Sequence, residues 1–355
     1  MWDFSWLERR WPGAGYENPS QALDELAERG YDAVRIDAYP HLVAADPHRE
    51  WELLPCWSVQ DWGSPARTRV RVQPHLNEFL AACAQRGIMV GLSSWYREDH
   101  TQLRRQIRSP EQQADQWIAT VQSIDPALRA GLLFIDLCNE WPLEVWAPYF
   151  PPEPAGARAD WATSASLAWM HRALARFRSA FPDLPVTFST SVTPERYLDT
   201  PLPEFDLIEA HLWMANATDF YDRVGYHFER FSATGYENVV RHAEALYRAT
   251  PTHWQELLHA GIDLLARCAQ RQRLPLITTE GWAIVDYKDW PLLDWGWVKE
   301  LTALGAEWAS ATGRWAAIAT SNFCGPQFRG MWSDVAWHQR LTRLIRQGRL
   351  PDVSG

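Results

Sequence analysis

The chain alternates from end to end between short apolar runs and longer stretches with helical spacing. That alternation restricts it to α/β architectures, because successive parallel strands need a crossover between them. Eight runs read as strands: Trp2–Trp6, Ala33–Ala38, Ile88–Leu92, a fourth ending at Glu140, Val186–Ser189, Leu207–His211, a seventh ending at Glu280, and Trp315–Ser321. Helical patterns lie between them at Ser20–Arg29, His75–Arg86, Pro110–Ile124, Ala162–Phe181, Thr252–Arg271, Leu293–Ala311 and Val335–Arg346. Gly30 and Gly87 stop two of these helices, and Ser109-Pro110-Glu111 is a start signal for a third. Eight such units predict a (β/α)8 TIM barrel. No Pro/Gly/Ser-rich linker divides residues 1–355, so a single domain is expected. Long βα loops are expected after strands two (His41–Gln73), four (Trp141–Trp161) and six (Trp213–Pro251), and ordered loops of that length tend to carry function.

Two of the apolar runs end alike. Leu132–Leu137 leads into Cys138-Asn139-Glu140-Trp141, and Leu274–Ile277 leads into Thr278-Thr279-Glu280-Gly281-Trp282. A carboxylate just past a parallel strand sits at the rim where α/β folds build their sites. Strands four and seven lie across a barrel mouth from each other, so Glu140 and Glu280 are expected to face one pocket.

Composition narrows the chemistry. The chain holds 22 tryptophans, more than core packing alone suggests, and indole faces stack on pyranose rings. Trp95, Trp141, Trp213 and Trp282 stand in or after the strand ends and are candidates for sugar stacking; Trp51, Trp57, Trp62, Trp146, Trp290 and Trp332 add to the loops. A net charge of −10 with no basic run disfavours nucleic acid and anionic membranes as partners. The five cysteines are odd in number and widely spaced, which points to a reducing compartment and against a zinc site. With no apolar run near 18 residues and no signal-like N-terminus, a cytoplasmic protein is expected. No His-x-His ends a strand, and neither a G-x-G-x-x-G after a strand, a P-loop nor a G-x-S-x-G is present, so no metal and no cofactor are expected.

Paired carboxylates suit glycoside hydrolysis. One protonates the leaving oxygen; the other attacks the anomeric carbon at about 5–5.5 Å separation, or activates water at about 6.5–9.5 Å. The acid needs a raised pKa and the nucleophile a nearby cation. Arg35, at an alternating position of strand two, is the candidate cation. Asp37, Tyr39 and His41 form a polar set after that strand, which either lines the sugar site or caps the loop. Asn322 after strand eight, and Asp3 near strand one, are further candidates for sugar hydroxyls.

These features together resemble the clan A glycoside hydrolases, in particular the family 5 cellulase-like branch and, more closely, bacterial proteins described as sugar-binding cellulase-like. The resemblance implies that Glu140 is the general acid/base and Glu280 the nucleophile. It further implies that Asn139 contacts the substrate 2-hydroxyl, that Arg35 in its Val-Arg-Ile run supports the nucleophile, and that His211 lies beside it. Two departures point away from cellulose as substrate. Trp213 replaces a tyrosine in the strand-six His-x-Tyr pair, and strand three ends Ser93-Ser94-Trp95-Tyr96 where many cellulases carry histidine. The expected activity is a retaining β-glycosidase acting on a small oligosaccharide or glycoside, as a monomer or homodimer. The alternatives are a sugar-binding barrel with weak catalysis and an endo-β-glucanase.

Overall fold

The computed structural model describes residues 6–350 except 57–61, 151–159, 192–194, 203, 228–231, 288 and 290–292. Asp3, Trp57 and Trp290, and most of the strand expected at Trp2–Trp6, lie outside the described residues.

Eleven strands are described: β1 (Ala33–Asp37), β2 (Trp51–Leu53), β3 (Thr68–Val70), β4 (Met89–Ser93), β5 (Leu132–Asp136), β6 (Val186–Thr187), β7 (Ile208–Glu209), β8 (Leu212–Trp213), β9 (Leu276–Thr278), β10 (Gly281–Trp282) and β11 (Trp315–Ile318). Strands β1, β4, β5 and β6 form one parallel sheet in that order, and β7, β9 and β11 another. A parallel bridge between Thr190 and Ala210 joins the two. Seven parallel strands therefore follow one another in space as they do in sequence, matching the second to eighth runs read above. Among the described residues they do not close into a ring.

The strands form because both faces are covered, which lets near-continuous apolar runs stand as parallel strands. Ile36, Leu92, Ile135 and Leu276 have no exposed surface. Gly91, opposite Arg35 in the β1–β4 register, admits the Phe134 ring: a Cβ there would lie 2.5 Å from the ring.

The seven expected helices are present, at Pro19–Glu28, His75–Ala84, Pro110–Ser123, Ser164–Ala180, Pro251–Gln272, Gly296–Ala311 and Val335–Gln347. Side chains of Asn18, Ser109, Thr163 and Asp334 cap four of them by accepting a backbone N–H that the helix itself cannot satisfy. No described helix is long and apolar enough to cross a membrane.

Two of the expected long loops carry structure of their own. The segment after β1 folds into a short helix (Pro40–Ala45) and the antiparallel β2–β3 pair. The segment after β8 contains Phe220–Val224 and the long helix Ala233–Ala249, whose buried Tyr236, Val239, Ala243 and Tyr247 recur at helical spacing.

Candidate active site

In β1 alternate residues share a face, and Arg35 and Asp37 point inward together. Both are buried, and they have different partners. Asp37 spends its carboxylate on the backbone: Tyr39 N donates to Oδ1 at 2.7 Å and Trp95 N to Oδ2 at 3.1 Å. Burial raises its pKa to about 7 against those two hydrogen bonds. Asp37 thus braces two strand-end loops. His41 is also a loop brace. It is buried on the Pro40–Ala45 helix, packs on Tyr96 and bonds the Arg97 carbonyl through Nε2 at 2.9 Å; burial lowers its pKa to about 4.

Arg35 is the hub. Its Nη2 donates to Ser93 Oγ at 3.0 Å, to Asp136 Oδ2 at 3.2 Å and to Asn139 Oδ1. Its Nη1 donates to Thr279 Oγ1 and to Glu280 Oε1 at 3.4 Å, and lies 3.9 Å from Glu209 Oε1. The Trp95 ring lies under the guanidinium at 4.5 Å. Planar forked donors suit such a two-sided role.

Glu140 stands four residues beyond β5 with a φ of 47°, a left-handed turn that redirects its side chain. Its backbone N donates to Ser189 Oγ at 2.9 Å. Trp146 Nε1 donates to Oε2 at 3.1 Å, and His211 Nδ1 lies 3.1 Å from Oε1. Glu280 stands between β9 and β10, and its Oε2 is 3.7 Å from the same His211 Nδ1. One oxygen from each glutamate and the ring nitrogen all lie within 4.8 Å of one another. The Glu140 side chain is 13% exposed and that of Glu280 7%, so both carboxyls are largely shielded from solvent.

Burial raises the Glu280 carboxyl to about 8; Glu140 and Glu209 add to the shift, while His211 and Arg35 oppose it. Two close carboxylates do not both ionise readily, so the pair retains a proton at neutral pH. Burial would strip the proton from His211, yet Glu209, Glu280 and the hydrogen bonds to Glu140 and Glu209 hold it at about 10. Burial opposes ionisation of Glu209, but His211 and Arg35 bring it down to about 2. Asp136 is raised by burial despite Arg35. The Glu140–His211–Glu280 cluster has the reach to surround a metal ion, but His211 Nδ1 stands at hydrogen-bond distance from Glu140 Oε1, where the ring is placed to donate an N–H rather than offer a lone pair.

Of the expected residues, Arg35, Trp95, Asn139, Glu140, His211 and Glu280 are brought together. Trp213 stands edge-on to His211 at 5.5 Å, buried, with no hydrogen-bond partner for its Nε1 among the described residues. Asn139 Nδ2 and Asn322 Oδ1 are likewise buried without partners, although Asn322 Nδ2 donates to Val285 O at 3.2 Å. Two tryptophans are not at the site. Trp141 donates to Ser166 Oγ and stacks on Trp169 in the core, and Trp282 donates to Ala319 O and packs against Gly305. Their rings fill space between strands and helices, so neither offers a face to a sugar. Asp136, Glu209 and Thr279 belong to the cluster and were not singled out from the sequence. The signal for two of them was a charged residue at an alternate position of an apolar strand.

Comparison with known proteins identifies the family. The sugar-binding cellulase-like family profile matches residues 1–346. No curated protein matches the chain. A candidate glycoside hydrolase from Parabacteroides distasonis ATCC 8503 is 50% identical, with a TM-score of 0.96 over 99% of this chain and 94% of that one. The beta-glycosidase BGL167 is 14% identical, with a TM-score of 0.53 over 99% and 96%. The cellulose synthase subunit Z of Clostridioides difficile is 11% identical, with a TM-score of 0.51 over 89% and 91%. The last two share the fold.

Proposed function

The chain belongs to the sugar-binding cellulase-like family, and from that premise we propose that it is a retaining β-glycoside hydrolase with Glu140 as acid/base and Glu280 as nucleophile. One observation carries the reading: the two glutamates bring carboxylate oxygens within 4.8 Å of each other. That spacing supports direct attack on the anomeric carbon, the geometry of a pair about 5–5.5 Å apart, over the roughly 6.5–9.5 Å that an inverting pair keeps for its water. In the first step Glu140 gives its proton to the leaving oxygen while a Glu280 oxygen bonds the anomeric carbon. In the second, Glu140 takes a proton from water as that water displaces Glu280. The pair must begin with one proton and one charge. Arg35 touches Glu280 and not Glu140, which favours the charge on Glu280 once a glycosidic oxygen stands against Glu140.

Asn139 fits a substrate 2-hydroxyl: Arg35 holds its Oδ1 and leaves Nδ2 buried without a protein partner. The unpartnered Trp213 Nε1 and Asn322 Oδ1 suit other hydroxyls. The low exposure of both glutamates supports a pocket for a small oligosaccharide or glycoside over an open groove for polymer. The same reading takes the seven parallel strands to close, with one more between β1 and β11, as a one-domain (β/α)8 barrel. The bond between Tyr31 Oη, just before β1, and Thr320 Oγ1, just after β11, at 2.5 Å supports closure.

Turnover of aryl β-glycosides by the wild type, abolished in Glu280→Gln, with the β-anomer released first by NMR, is the expected result. Turnover surviving that change refutes the nucleophile assignment, and the α-anomer refutes retention. A second reading, sugar binding with little turnover, draws on Trp213: no tyrosine hydroxyl stands there, and Glu280 Oε2 lies beyond hydrogen-bond range of His211. Calorimetric binding of oligosaccharides without hydrolysis would favour it.

A further inference from the structure

Glu209 has no catalytic partner of its own, yet it is fully buried two residues from His211 on the same inward face. Among the described residues only its Oε1 takes a hydrogen bond, and its Oε2 is buried without one. Oε1 accepts from Thr279 N at 3.0 Å and from Thr279 Oγ1 at 2.6 Å, and Oε2 lies 3.0 Å from His211 Nε2. The far side of the same imidazole carries Nδ1, 3.1 Å from Glu140 and 3.7 Å from Glu280. The ring therefore stands against one carboxylate on its Nε2 side and between two others on its Nδ1 side.

We propose that Glu209 is a positioning residue that keeps His211 a cation, so that one Nδ1–H serves whichever of Glu140 and Glu280 is charged. The inference rests on the two-glutamate reading given above. Before attack the negative charge belongs on Glu280. After attack Glu280 is an ester and Glu140, having given up its proton, is the carboxylate. A neutral tyrosine hydroxyl beside the nucleophile serves only the first of these states. An imidazolium placed between the two serves both, gaining and losing no proton itself, and a shift of about 0.6 Å, the difference between 3.1 and 3.7 Å, moves its hydrogen bond from one partner to the other. Trp213 at the tyrosine position, edge-on to His211, is consistent with the ring having taken over that contact.

The Nε2 nitrogen has a competing neighbour, Arg35 Nη1 at 3.1 Å, and a neutral ring would accept from it. The hydrogen-bond direction from Nε2 favours Arg35; the charge balance favours Glu209. The groups facing the ring are Glu140, Glu209, Glu280 and Arg35, three carboxyls against one guanidinium. Charge balance prevails here, because an unprotonated Nε2 would leave a buried carboxylate oxygen against a lone pair at 3.0 Å.

Nitrogen-15 NMR of the histidine ring tests this on the intact protein. Wild-type His211 should show both ring nitrogens protonated from pH 6 to pH 9. Glu209→Gln should lower the imidazolium pKa by at least two units, and Glu209→Asp should restore much of it. With aryl glycosides, Glu209→Gln should lower kcat/KM for poor leaving groups and kcat for activated ones, each by at least tenfold, since both half-reactions lose the donor. A neutral His211 in the wild type at pH 7, or an unchanged titration in Glu209→Gln, overturns the proposal. Wild-type NMR alone decides the charge if the Gln variant does not fold. A charged His211 in a protein that turns over no glycoside leaves the Glu209–His211 pairing standing, and it refutes both the two-glutamate reading and the transfer of the hydrogen bond between them. Hydrolysis with a neutral His211 refutes this proposal alone.

Discussion

Replacing Arg35 with methionine removes the one guanidinium among Asp136, Glu209 and Glu280 while keeping most of the side-chain volume. Removing one partner of a buried ion pair costs about 3–5 kcal/mol, because the other charge stays buried. Here the three carboxyls share that cost unequally. Glu209 keeps His211, and Glu280, raised to about 8, is largely protonated already. Asp136 is fully buried and retains only the hydroxyls of Ser93 and Ser189 and backbone N–H donors. The loss therefore falls mainly on Asp136, at the lower end of the range, about 3 kcal/mol. Without Arg35 the Asp136 pKa rises further above its unfolded value. Stability from such a group is present at acid pH and lost as pH rises through the folded pKa. The deficit should thus be larger at pH 8 than at pH 5. Arg35→Lys keeps the charge but has one nitrogen where the fork has two, and should recover only part of the loss. Urea unfolding followed by tryptophan fluorescence at both pH values measures this. A deficit under about 1 kcal/mol at pH 8, a larger one at pH 5, or full rescue by lysine would refute the reasoning.

The remaining predictions concern the pair and its surroundings. With Glu280 at about 8, kcat/KM should fall on the alkaline side with an apparent pKa near 8, as the pair loses its single proton; a fall near the ordinary carboxylate range, about 4–5, would count against it. Trp146→Phe deletes the hydrogen bond to Glu140 Oε2, worth about 0.5–1.5 kcal/mol, and should lower kcat/KM up to about tenfold, most for poor leaving groups. A loss independent of leaving group would mean that Trp146 only packs. Gly305→Ala would put a Cβ 2.5 Å from the Trp282 ring and should cost about 1–3 kcal/mol in thermal denaturation; an unchanged midpoint would contradict the packing of Trp282 against its helix.

The strands were readable because six of the eight runs are largely buried on both faces, so their sequences are apolar almost without interruption. Glu140 and Glu280 were readable as residues that end those runs. The left-handed turn that aims Glu140 was not, since nothing at Cys138-Asn139-Glu140 demands a positive φ. Glu209 and Asp136 were hidden because a single carboxylate in an apolar strand looks like an interruption until its alternate neighbour, His211 in one case, is seen to share its face. The tryptophans misled for a physical reason. Trp141 and Trp282 stand one and two residues behind the glutamates in sequence, but the chain turns at Glu140, and both rings pack into the helical layer, Trp141 on Trp169 and Trp282 on Gly305. The helix Ala233–Ala249 carried its own periodicity and was obscured only by the length of the segment around it.

Arg35 comes from the opening of the chain, and two of its carboxylate neighbours, Glu209 and Glu280, come from the later half. A nascent chain that has emerged only through β5 holds Arg35 with Asp136 but lacks both. A C-terminal fragment holds Glu209 and His211 but no guanidinium. Charge balance at the centre of the molecule is thus a property of the finished chain, and truncated products should be recognisable as unstable before they ever present a complete pair of glutamates.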